Sequence, residues 1–280
     1  MDSATPELFA TQEPARTLEV KAQLGEMIKP TELIDIIGIG ELTLSARKLY
    51  NILLEYAFGE DLGKEGHEWM IPLAELRRKH KGNERIEDDI IALMRTVVVV
   101  KLKDGGTRRV QLLGGNDLGE GARQRGLLTY CFDPKLVELL RDSTIYGRLE
   151  KEVLLAFTSK YALSLYEAAA RRVNLSHKCI EEFSVEEFRD LLGVELGKLA
   201  RFANLNHRAI KPAVIEVNGL APFNLDVQPR KQGNRVIGIT MAWWAKTIDE
   251  KKTAYAELNR SRVGRSARLN GTVETLSEVP

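Results

Sequence analysis

Three changes of hydrophobic period mark the second half of the chain. Between residues 160 and 173, Tyr161, Leu165, Ala168 and Ala169 share one helical face, and Arg171 and Arg172 stand at the C-terminal end, where a helix favours cations. The run FSVEEFRDLLGV then carries Ser184 and Glu187 at capping-box spacing. Phe183 stands at the staple position, Phe188, Leu191 and Leu192 lie on one face, and Gly193 is placed to end the helix. A further apolar stripe repeats every four residues at Leu205, Ala209, Ala213 and Val217, with Pro212 expected to kink that helix or to join two short ones. Beyond it the period drops to two. Phe223, Leu225 and Val227 alternate, as do Ile237, Ile239, Met241 and Trp243, around the basic turn RKQGN, which predicts two half-buried strands and a hairpin. Helix, turn, helix, hairpin is the order of a winged helix-turn-helix.

The first half follows the same order without sequence identity. Thr43 can cap a helix with one stripe of Leu49, Leu53, Tyr56 and Ala57 and another of Arg47, Lys48, Asn51 and Glu55. A short strand at Trp69–Ile71 stops at Pro72, and a short helix follows through the basic cluster RRKHK to Gly82. Another helix places Ile86, Ile90 and Leu93 on one face, with Asp88 and Asp89 read as a solvated helix start. The run TVVVVKL turns at Asp104 and Gly105 into a return strand, and Asp133 with Pro134 opens a helix after the strand 127–132. The expected fold is α+β: two tandem winged-helix domains, mainly helical with β-hairpin wings. The expected limits are a mobile arm at 1–26, a first domain at 27–145, a second at 146–247 and a basic disordered tail at 248–280. The glycine-rich segment 114–126 reads as a mobile loop and 141–158 as a partly helical bridge between the domains.

Charge changes this picture locally. The 280 residues carry a net +1, yet between Lys198 and Lys246 eight basic residues face two acidic ones, on the second helix and the hairpin where a winged helix meets DNA. The candidate DNA-binding residues are Arg201, Asn204, Asn206, His207, Arg208 and Lys211 on the helix side and Arg230, Lys231 and Arg235 on the wing. Arginine suits a bidentate contact with guanine, asparagine one with adenine, and the wing cations suit phosphates or the minor groove. Arg77, Arg78, Lys81, Arg108 and Arg109 of the first half are auxiliary candidates for gripping the backbone, and Arg260, Arg262, Arg265 and Arg268 of the tail for non-specific affinity.

Other chemistries lack their residues. His67, His80, His177 and His207 are scattered with no H-x-H pair for a nicking enzyme, and 114–126 lacks the Gly-Lys-Ser or Gly-Lys-Thr ending of a phosphate loop. No converging carboxylates or nucleophile context appears, so neither an enzyme, a metal nor a cofactor is expected. No apolar run approaches a membrane span and no basic-then-apolar signal opens the chain. Cys131 and Cys179 suit a reducing compartment, so a cytoplasmic protein without a membrane partner is expected.

Tyr161, Ala162, Leu163, Leu165 and Tyr166, then Phe188, Arg189, Leu191, Leu192 and Gly193, then Pro212, Ala213, Glu216 and Asn218 resemble the motifs of the iteron-binding plasmid replication initiators, the Rep_3 or RepB-like family. The chain departs from that pattern at His207 and Ala209 and at Gly233, Asn234 and Arg235. The resemblance covers roughly residues 40 to 245. It implies a protein that binds double-stranded iteron repeats at a plasmid origin, helps open adjacent DNA and recruits the host initiator and replicative helicase, with chaperones as candidate partners. It also implies a monomer–dimer equilibrium in which the dimer represses its own gene, and a first domain that carries the dimer interface. A winged-helix transcriptional regulator without a replication role and an adaptor using winged helices for protein contacts remain the alternative readings.

Overall fold

Each winged helix is built around one long capped helix. The computed structural model describes residues 15–77, 83–102, 104–117, 126–173, 175 and 178–272, without the side chains of 77 and 83–85. Strand β1 (Glu26–Pro30) and the single turn α1 (Thr31–Ile34) lead into α2 (Leu44–Ala57), where the Thr43 hydroxyl accepts the N–H of Ala46. Next come β2 (Trp69–Pro72), α3 (Leu73–Arg77), α4 (Asn83–Arg95), the hairpin β3 (Val97–Lys101) and β4 (Thr107–Gln111), then β5 (Gly115–Asp117), β6 (Leu127–Cys131) and α5 (Pro134–Arg141). A linker of β7 (Tyr146–Glu150) and α6 (Lys151–Ala156) joins this unit to the second.

The second unit holds α7 (Lys160–Val173), β8 (Ile180–Phe183), α8 (Val185–Leu192), a composite helix over residues 202–220, and the wing β9 (Phe223–Gln232) and β10 (Arg235–Ala245). The Ser184–Glu187 capping box is formed, and Gly193 ends α8 in the left-handed conformation. A Cβ at Gly193 would also lie 2.7 Å from the Arg47 guanidinium, so both its conformation and its surroundings require glycine.

Strand pairing distinguishes the two units. In the second, β8, β10 and β9 form one antiparallel sheet, with Phe183 opposite Ile239 and Trp243 opposite Leu225. In the first, β3 and β4 stand as a separate pair, while β2 joins β6 and sets Trp69 opposite Tyr130. Strand β1 pairs with β7 in a separate two-stranded sheet, so the boundary expected between residues 145 and 146 falls at the start of a strand that pairs back to β1 of the first unit. The apolar core is continuous across both units, running from Leu53, Leu93 and Tyr130 to Leu165, Phe188 and Met241.

Several expectations are overturned. The arm is docked from Thr17, whose N–H donates to Ser143 O at 2.7 Å. The segment expected as a disordered tail forms α11 (Ile248–Asn259), opened by a Thr247–Glu250 capping box, and α12 (Arg265–Leu269). Polar residues there meet partners instead of water: buried Glu257 binds Arg265 and Arg268, and Arg265 also donates to the Ala156 carbonyl, so neither arginine is free for DNA. Asp89 is buried and accepts the Thr43 hydroxyl at 3.1 Å, tying α4 to the start of α2. Ile237 is exposed because a bulge between Val236 and Gly238 shifts the register by one and reverses the facing of the side chains.

In the second, polar stripe of α2, Arg47, Lys48 and Asn51 are buried and Glu55 is half-buried. Arg47 donates to Ser164 Oγ at 2.6 Å and to the carbonyls of Ile39 and Gly193 at 2.9 and 3.0 Å. Lys48 donates to the carbonyls of Leu155 and Phe157 at 2.7 and 2.6 Å. Lys29 of β1 and Asn51 both meet Glu167 of α7. These groups join the two winged helices, because nearly all of their partners lie more than a hundred residues away in the chain.

Candidate nucleic-acid interface

The composite helix is made of α9 (Phe202–Leu205), one π-helical turn (Asn206–Ile210) and α10 (Lys211–Leu220), with helical dihedrals at both junctions. The expected kink is therefore a local widening. Pro212 lacks the N–H that an α-helix would donate to residue 208, and the wider turn accommodates that loss. The apolar stripe has the same requirement. Steps of four residues drift about 40° each in an α-helix, whereas a π turn brings them back toward one face. Leu205, Ala209, Ala213 and Val217 all end at 0% exposure.

The opposite face is a row of exposed polar groups: Asn204, His207, Arg208 and Lys211. Arg201, just before the helix, is exposed as well, and Asn206 is half-buried beside the row. Three contacts fix this helix. Glu216 is buried and accepts the Thr158 N–H and hydroxyl at 2.6 and 2.8 Å. The Asn218 amide makes two bonds to the backbone of Leu225, at 2.9 and 2.7 Å, locking the helix to β9. Arg189 of α8 donates to the carbonyls of Lys198 and Leu199, holding the turn in which Leu199 adopts φ 50°. Arg189, Gly193, Glu216 and Asn218, which carry the family resemblance, thus build the frame. Tyr166 belongs with them: its buried hydroxyl accepts the N–H of Glu150.

The wing is longer than the alternating positions indicate, with strands reaching Gln232 and starting again at Arg235 around a Gly233–Asn234 turn. Lys231 and Arg235 are exposed beside that turn. Arg230 lies further down the wing, opposite Gly238, and pairs with Glu182 of β8 at 3.0 Å, so it is not a free wing-tip cation. Lys246 is withdrawn from the basic count too, because it is buried and donates to the Ala221 carbonyl at 2.7 Å. Burial pushes its pKa down. Among the described residues, Arg201, His207, Arg208, Lys211, Lys231 and Arg235 have no acidic partner.

Of the auxiliary candidates, the Arg77 side chain and residues Arg78 and Lys81 lie outside the described set. Arg108 is half-buried and bonds Glu138 and the Lys135 carbonyl of α5, each at 3.3 Å, while Arg109 is exposed. Among the described residues no helix is long and apolar enough to cross a membrane.

Residues 184–243 match the family model described as initiator Rep protein, WH2. Among solved structures, the chain is similar to the Pi initiator protein, determined in complex with iteron DNA: 15% identity, TM-score 0.57, covering 79% of this chain and 98% of that one. Domains 2 and 3 of RctB align at 12% identity and TM-score 0.41, over 72% of this chain and 82% of that one. No curated protein sequence matches the chain. The resemblance to replication initiators drawn from the residues holds, and with it the fold of two winged helices.

Proposed function

We propose, from the initiator Rep match over residues 184–243, that the protein initiates plasmid replication by binding iteron repeats in double-stranded DNA. The observation that supports this most is the row Asn204, His207, Arg208 and Lys211, exposed along a rigidly anchored helix and flanked by the unpaired wing cations Lys231 and Arg235. A helix of that kind fits the major groove: Arg208 suits a base edge, and Lys231 and Arg235 suit phosphates. The Pi initiator, whose fold the chain shares, was crystallised on iteron DNA.

In this reading the first winged helix adds a second contact about one helical turn, roughly 10 base pairs, along the duplex. Interactions that form only on distorted DNA offset the free energy of deforming it, which is how binding opens the adjacent origin without a catalytic step. Host initiator and helicase are then recruited to the opened strand, and a dimer represses the protein's own gene.

The test is a footprint on the DNA flanking its gene, with quantitative binding of Arg208→Ala and Lys231→Ala. Protection of several direct repeats is expected. Arg208→Ala should lose about 1–3 kcal/mol, relaxing preference at one base position, and Lys231→Ala should weaken all duplexes alike. A single inverted repeat over the promoter would make the protein a simple repressor, and the absence of sequence-specific binding would refute both readings.

A further inference from the structure

The C-terminal segment builds a cleft against the recognition helix. After α11 the chain turns back, and Leu269 of α12 packs on Gly219 so closely that a Cβ there would lie 2.5 Å from it. The resulting cleft has a volume of about 580 Å³. His207 and Lys211 line one side, Thr158 and Ser159 the start of α7, and Arg262 and Asn270 the other side. His207 and Lys211 also belong to the exposed row, so the cleft opens beside the bases that the row would read.

Its electrostatics are unbalanced. Three cations converge on the last carbonyls of α6 and the residue after it: Lys48 on Leu155 and Phe157, Arg262 on Leu155 at 3.1 Å, and Arg265 on Ala156 at 3.1 Å. Lys48 and Arg262 share one carbonyl oxygen. Burial, with repulsion from Arg262 and Arg265, pulls the Lys48 pKa down to about 8. The acid on the wall, Glu216, is engaged with Thr158, and Glu257 is engaged with Arg265 and Arg268. Lys211 and Arg262 both line the cleft and are exposed, and among the described residues neither has a carboxylate partner. Such a cleft favours an anion from outside the protein.

We infer that this cleft receives a backbone phosphate of the bound duplex, held between Lys211 and Arg262, so that the C-terminal segment is a clamp on DNA additional to the wing. The inference rests on the proposed DNA-binding function and assigns a contact that neither the family match nor the wing supplies. A phosphate contact carries no sequence information, so its loss acts on every duplex equally and reduces the salt dependence by about one charge.

The experiment measures affinity of the full chain for an iteron duplex and a scrambled duplex across a KCl series, for wild type, Arg262→Ala, Arg262→Lys and Ser266→Glu. Ser266 lines the cleft and is exposed, so its replacement sets a carboxylate where the phosphate would sit without disturbing the core. Expected are losses of about three- to tenfold on both duplexes for Arg262→Ala and Ser266→Glu, a salt slope shallower by about one for Arg262→Ala, and near-wild-type behaviour for Arg262→Lys. If wild type prefers the iteron duplex but both cleft variants match it in affinity and slope, the clamp is overturned and the function stands. A loss confined to the iteron duplex with an unchanged slope also overturns the clamp, and a wild type that binds neither duplex overturns both.

Discussion

Replacing Arg47 tests the joint between the two winged helices. Its side chain is 6% exposed and its guanidinium donates to Ser164 Oγ and to the carbonyls of Ile39, Lys160 and Gly193, at 2.6 to 3.2 Å. Burial lowers its pKa from 12.5 to about 10, so holding the charge there costs about 3 kcal/mol. Charge-assisted hydrogen bonds contribute roughly 1.5–3 kcal/mol each, and truncation would also take the guanidinium donor from two buried acceptors, Ser164 Oγ and the Gly193 carbonyl. The bonds outweigh the desolvation, and Arg47→Ala should lose about 3–5 kcal/mol. Urea denaturation followed by tryptophan fluorescence reads both units, because Trp69 lies in the first and Trp243 in the second, each buried. The expected result is a lower midpoint, with the summed emission of Trp69, Trp243 and Trp244 falling in two steps instead of one. Arg47→Met, which keeps most of the volume and none of the donors, should behave similarly. A loss under about 1 kcal/mol for the alanine variant, or a methionine variant as stable as wild type, would show that desolvation cancels the bonds and refute the reasoning.

Gly40→Ala places a Cβ 2.6 Å from the Cα of Glu195, a backbone contact that cannot yield, so a loss of about 1–3 kcal/mol is expected by thermal melting, and an unchanged melting temperature would contradict the close approach. Lys48 titrates near 8 in the folded protein against 10.5 when free, so the unfolded chain binds more protons between those values and stability rises with pH across that window. Burial raises the hydroxyl pKa of Tyr50, Tyr130 and Tyr166, which favours unfolding above about pH 10, so the readable rise lies between pH 8 and 10. From pH 7.5 to 9.5, wild type should gain about 2 kcal/mol more than Lys48→Met in urea titrations, and parallel profiles would remove Lys48 from the account. Pro212→Ala restores a helix donor worth about 1 kcal/mol, but closing the π turn would rotate Leu205 and Ala209 out of the core at about 2–3 kcal/mol. The turn should persist and specific DNA affinity should change less than about threefold; a tenfold loss would mean that the proline sets the register.

The likeness to initiators is readable because its motif residues are those that shape the domain. Buried Glu216 and half-buried Asn218 bind Thr158 and Leu225, and Gly193 admits the Arg47 guanidinium. The spacing alone could single them out, since a polar residue at or next to an apolar stripe needs a buried partner. Arg208 and Lys211 are exposed and build none of this frame, so only charge and position single them out.

What the sequence determined by itself was what neighbours in the chain decide. The Thr43 cap, the Ser184–Glu187 box, the Gly193 stop, the hairpin order and the period-four stripe all rest on residues a few positions apart, whose spacing is set by backbone geometry. The tertiary structure decided everything that needed a distant partner. Arg47 was only one position of a second stripe until Ser164, 117 residues on, came within 2.6 Å. β1 and β2 found β7 and β6 instead of their neighbours, and Ile237 turned outward at a bulge that no periodicity announces. Arg265 and Arg268 read as a free basic tail until Glu257 paired with both and Arg265 became part of the cleft's wall. Local spacing fixes which surface a residue occupies on its own element, whereas burial and charge depend on what packs against that surface, and only the folded chain supplies it.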